Sequence, residues 1–177
     1  MLLRCAFLLL LLGCPGPDAT VPCTPPGDPS KPIALRAIAR KGAGVAVLAD
    51  GDTVFLESAP QGGAVIYAGA EAKNVCGAVV TMTAELVDPA TGKALTGADQ
   101  RQGTMTVADG DYAHTDNPQV ELPNIPSCPN ALHVPIDGHA AILRVLVSTP
   151  DGRSANLDRN VVPRCPAGDA HCASLCR

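Results

Sequence analysis

Val79-Val80-Thr81-Met82-Thr83-Ala84-Glu85-Leu86-Val87 alternates along its whole length. Val80, Met82, Ala84 and Leu86 fall on one side of an extended chain; Thr81, Thr83 and Glu85 fall on the other. A period of two with one apolar side marks a strand that buries one face and wets the other. Asp88-Pro89-Ala90-Thr91-Gly92-Lys93 follows and reads as a hairpin loop. The same period returns at 140–149, where Leu143, Val145 and Val147 oppose Arg144. Pro150-Asp151-Gly152-Arg153 makes a turn, and 154–162 runs back as a last strand. Two adjacent strands closing the domain in this way predict an immunoglobulin-like or fibronectin III-like β-sandwich.

Upstream of this core the signals are shorter. Asp50-Gly51-Asp52 is a turn that opens a strand over 53–57, and 64–72 is an apolar stretch. Downstream, a weaker strand is predicted over 103–108, and 109–135 reads as short strands between loops rich in Pro, Asn and Asp. Segment 33–41 alone admits a helical reading, and no internal repeat is present.

Composition agrees with an all-β chain. Of 177 residues, Gly and Pro contribute 17 each and only 17% are charged, which favours turns and short strands over helical bundles. The net charge of −4 offers no basic surface for nucleic acid. Two Tyr, two Phe and no Trp leave almost no aromatic platform for stacking sugars or bases. The core must come from Val, Leu, Ile and Ala.

The N-terminus reads as an export signal. Arg4 precedes an apolar run ending at Leu12 that is too short for a permanent span. Leu11-Leu12-Gly13-Cys14 resembles a bacterial lipobox, which makes 1–13 a signal peptide and Cys14 the lipidated first residue of the mature chain. The alternative is ordinary cleavage a few residues later, after Ala19. Residues 14–32 then form a Pro-rich tether, 33–163 the sandwich, and 164–177 a Cys-rich tail. Both cleavage schemes leave Cys23, Cys76, Cys128, Cys165, Cys172 and Cys176. Six cysteines in an exported chain predict three disulfides, of unspecified pairing, that staple the tail to the domain. A zinc site built from His171 and the three tail cysteines is the rival reading of that tail.

Gln61-Gly62-Gly63 is readable as a turn or bulge, or as a ligand loop. Asp109, Asp111, His114 and Asp116 concentrate hard ligands for calcium, although Ala113 breaks the EF-loop order. No G-x-S-x-G, H-E-x-x-H, Walker or dinucleotide motif occurs, and His114, His133, His139 and His171 stand singly.

The run from Asp50-Gly51-Asp52-Thr53-Val54 to Pro60-Gln61-Gly62-Gly63 resembles a group of secreted, often lipid-anchored proteins of myxobacteria and their relatives that carry a PQGG motif. The likeness covers about half of the chain; it implies export and sandwich strands and carries no activity. Ala64 departs from the pattern near where a bulky residue followed by His is expected.

Together these features predict a non-enzymatic envelope lipoprotein, held to the bacterial membrane (the outer rather than the inner) by its lipid. It acts as a binding or structural accessory toward another envelope protein, without cofactor and without nucleic acid. A calcium- or zinc-binding envelope protein and a small secreted hydrolase are the alternatives.

Overall fold

The computed structural model describes residues 28, 30–75, 79–130 and 133–176. The expected signal peptide, Cys14, most of the tether, Cys23 and Cys76 lie outside the described residues.

In chain order the elements are β1 (Ala34–Lys41), β2 (Gly44–Val47), β3 (Asp52–Phe55), β4 (Glu57–Ser58), β5 (Ala64–Lys73), β6 (Val79–Val87) and β7 (Asp99–Thr104). They continue with β8 (Val107–Asp109), β9 (Tyr112–His114), α1 (Pro118–Glu121), β10 (Asn124–Cys128), β11 (Ala141–Ser148), β12 (Ser154–Arg164) and α2 (Ala170–Cys176). The fold is all-β, in two sheets that share one core.

One sheet runs β3-β12-β11-β6-β7. Its centre is the pair of strands with the clearest alternation. On β6, Val80, Met82, Ala84 and Leu86 are buried; on β11, Leu143, Val145 and Val147 are buried while Leu146 is exposed. Val145 pairs with both Ala84 and Leu157, which locks the apolar sides of three strands into one face. A slip of one residue would turn all of them outward. Every pair in this sheet is antiparallel except β3 with β12, which is parallel.

The second sheet is organised around β5, whose first nine residues are buried. Ala72 pairs with Leu35 of β1 and with Ala113 of β9; Ala64 pairs with Ser58 of β4 and Cys128 of β10. A strand hydrogen-bonded on both edges and covered on both faces shows a nearly continuous apolar run instead of alternation. That is how 64–72 reads. Beyond β1 lies β2, and beyond β9 lies β8. The core between the sheets is aliphatic: Ile38, Leu56, Ile66, Leu122, Ile125, Ile136 and Leu143 are among its largest fully buried side chains.

Three elements depart from expectation. The 33–41 segment is strand β1, because β2 and β5 hydrogen-bond its two edges and override local propensity. The weak strand expected over 103–108 begins earlier, at Asp99, and 107–109 belongs to the other sheet as β8. β7 is an edge strand whose Gln100, Arg101 and Gln102 are exposed, so it carries no apolar period to find. The third departure is α2, a short helix in the tail.

Candidate functional site

The two sheets end side by side in β2 and β3. Among the described residues, β2 pairs with β1 alone and β3 with β12 alone. Three residues after β2, Asp50-Gly51 turns the chain into β3. The turn is held by the Gly51 amide donating to the Asn160 carbonyl at 2.9 Å and by Asp50 accepting from the Asn160 amide at 3.1 Å. The result is an open cleft of about 400 Å³ along the seam, with Val47 and Leu48 on one wall and Val54 and Phe55 on the other. Phe55 is 51% exposed and Val47 46%, while Leu48 and Val54 anchor the same strands in the core. Arg40 stands at the seam, bonded to Glu57 at 2.7 Å with its guanidinium over the Tyr67 ring. Among the described residues, this seam combines exposed apolar side chains with strand edges open to pairing.

The sequence-predicted ligand residues lie elsewhere. Asp109 and Asp111 flank the β8–β9 turn and are engaged by cations of the neighbouring strands. Arg36 Nη2 donates to Asp109 at 3.0 Å, and Lys73 Nζ donates to Asp111 at 2.5 Å. His114 donates through Nδ1 to the Thr115 carbonyl at 2.7 Å, and Asp116 is exposed. No three of these four bring ligand atoms together; among the described residues only Cys165, Cys172 and Cys176 do so.

Beneath this turn lies a feature without a local sequence signal. Glu71 is 1% exposed on β5, and its Oε1 stands 2.6 Å from Nε of Arg36, which also stacks on Tyr112 at 4.1 Å. The contact is ionic, without good hydrogen-bond alignment. Burial pushes the Glu71 carboxyl above its ordinary range, and the Arg36 guanidinium opposes this without cancelling it. Burial likewise opposes the Arg36 charge, but Glu71 and Asp109 outweigh it and raise the guanidinium further.

Gln61-Gly62-Gly63 is a tight turn before β5: the Gly62 amide donates to the Ala59 carbonyl at 2.9 Å and the Ala59 amide to the Gly63 carbonyl at 3.1 Å. Gln61 and Gly62 are exposed. Gly63 has φ +83°, and a Cβ there would collide with the carbonyl oxygen of Cys128.

In the tail, Cys128 is bonded to Cys176 and Cys165 to Cys172. The first bond ties α2 to β10. His171 is exposed and stands outside the sulfur cluster.

The class defined by these features is an all-β, two-sheet protein closed by disulfides. Comparison with protein-family models, with curated proteins and with solved structures gives no match.

Proposed function

We propose that this chain is an exported, lipid-anchored accessory of the bacterial cell envelope, with no catalytic role, that binds an extended segment of another envelope protein along the β2–β3 seam. The observation that carries the reading is the seam itself. Two strands, one from each sheet and each singly paired among the described residues, border one cleft with Val47 and Phe55 exposed on its walls. An incoming strand would take main-chain hydrogen bonds from an open edge and specificity from the apolar side chains beside it. The two disulfides favour an oxidising compartment, in keeping with export.

The strand order supports the finer fold assignment, an immunoglobulin-like sandwich. β6, β11 and β12 stand in succession in one sheet with β3 joining β12 in parallel, and the facing sheet is built on β1, β5 and β10. In this arrangement Cys14 and the Pro-rich tether would hold the domain off the membrane and leave the seam free.

Site-specific photo-crosslinking in intact cells tests the reading. A photoreactive residue at position 47 or 55 is expected to trap one and the same partner, whereas position 120, exposed on α1, traps none. Val45→Pro, which removes a β2 amide that faces away from β1, is expected to abolish both crosslinks. Crosslinks that persist in Val45→Pro, or that arise at position 120 and not at the seam, would overturn it.

A further inference from the structure

The four described cysteines form two disulfides in contact with one another. Cys165 and Cys172 close a separation of seven residues, and Cys128 and Cys176 one of 48. Cys172 and Cys176 lie four residues apart on α2, and their sulfurs, which belong to different disulfides, are 3.9 Å apart. The sulfurs of Cys165, Cys172 and Cys176 all fall within 4.8 Å of one another. Access to the two bonds is unequal. Cys128, Cys172 and Cys176 are buried, whereas Cys165 is half-buried and lines a surface cavity of about 680 Å³ beside the exposed Arg164. Both halves of the outer bond are fixed through their backbones. The Cys165 amide donates to Asp137 at 3.1 Å and the Cys172 amide to Asp169 at 2.9 Å.

We infer that these cysteines form a thiol–disulfide relay whose mouth is Cys165, a site that takes up an external thiol and answers by releasing Cys128. The thiolate of a low-molecular-weight thiol enters the cavity, which Arg164 lines together with the carboxylates of Asp137 and Asp169, and attacks Cys165 Sγ. A mixed disulfide forms on Cys165, the Cys165–Cys172 bond breaks, and its electron pair leaves on Cys172. That thiolate faces Cys176 Sγ across the 3.9 Å contact. It attacks in turn: a Cys172–Cys176 bond forms, the Cys128–Cys176 bond breaks, and Cys128 departs as a thiolate and takes a proton from water. One thiolate is consumed and one thiol appears, with two disulfides before and two after, so no oxidant or reductant is required. Cα atoms one helical turn apart are about 6 Å from each other, inside the span a disulfide accepts, so α2 can hold the new bond.

The relay moves the break from the surface to the bond that ties the tail to β10. Hydrogen bonds from the Ile136 and Asp137 amides to the Cys176 carbonyl, at 2.9 and 3.1 Å, would keep the exchanged tail in place.

Trypsin makes the test direct, because Cys128 falls in peptide 102–144 and the three tail cysteines share peptide 165–177. The full-length protein is exposed to excess reduced glutathione, quenched with acid at early times, alkylated and digested without reduction. The expected products are 165–177 carrying glutathione on Cys165 with Cys172 joined to Cys176, and free 102–144 alkylated on Cys128. These two should rise together, one to one. A glutathione adduct on Cys165 with 102–144 still joined to the tail peptide would overturn the relay, as would the absence of any adduct there. Of the two described bonds, the Cys165→Ser/Cys172→Ser variant keeps the inner one. Its release of 102–144 is expected to be slower by roughly tenfold or more, and release at the native rate would mean direct attack on Cys128–Cys176.

Discussion

Gly63 sits where the carbonyl of Cys128 passes over the start of β5, at a φ that only glycine adopts without strain. Gly63→Ala is therefore expected to cost about 1–3 kcal/mol, read from urea midpoints. Gly62→Ala, at φ +91° with open space around its Cβ position, should cost less. The turn at 61–63 is legible in the sequence; the reason for its second glycine is not, because Cys128 approaches from 65 residues away. Glu71 makes the same point with charge. A carboxyl whose folded pKa is raised binds more protons in the folded chain than in the unfolded one. Its contribution to stability thus falls as pH rises from the ordinary value of 4.5 through the raised folded value. Asp151 acts in the opposite sense. Hydrogen bonds from Thr149 and Arg153 hold it at about 2, so its contribution is present above 3.8 and is lost as pH falls toward 2. Glu71→Gln is expected to remove the loss of stability above pH 4.5 and leave unchanged the acid limb, to which Asp151 contributes together with Asp28, Asp50 and Asp111. Denaturation midpoints across a pH series check this, and an unchanged slope above 4.5 would refute it. The acidic loop at 109–116 was visible as a concentration of ligands, but Arg36 and Lys73, which engage Asp109 and Asp111, come from other strands and left no local mark.

At the scale of elements, alternation on β11 makes opposite predictions for two leucines three residues apart. Leu143 is fully buried between the sheets and Leu146 is 42% exposed. Leu143→Ala should cost about 2–5 kcal/mol through lost burial and a residual cavity. Leu146→Ala should stay within about 0.5 kcal/mol. Equal costs for the two would contradict the assigned register. Strands with one wet face, β6 and β11, and the fully covered β5 were legible because burial writes a period, or an unbroken apolar run, into the sequence. The edge strand β7 was not, since most of its side chains meet water. Its one close approach is Gly103, where a Cβ would come 2.9 Å from Met82 Cε. β1 was ambiguous because its identity as a strand is set by partners on both edges. α2 escaped notice for a related reason: the disulfides fix both its ends and relieve it of needing an amphipathic pattern.

For the whole molecule, an aliphatic core without tryptophan is supplemented by covalent bonds. Cys128–Cys176 closes a separation of 48 residues, for which chain entropy gives about 4 kcal/mol. The Cys128→Ala/Cys176→Ala variant is expected to lose stability of that order while keeping its β-sheet circular dichroism. Retention of full stability would show that the staple is dispensable. The central claim of the account is an exported, lipid-anchored, disulfide-closed module, and the intact mass of the full-length chain expressed in a Gram-negative host tests it most directly. The sample is alkylated once without and once with prior reduction. The predicted result is a chain beginning at Cys14 with added acyl mass, in which Cys23, Cys76, Cys128, Cys165, Cys172 and Cys176 are alkylated only after reduction. A chain retaining residues 1–13 without acyl mass, with thiols that alkylate before reduction, would contradict it.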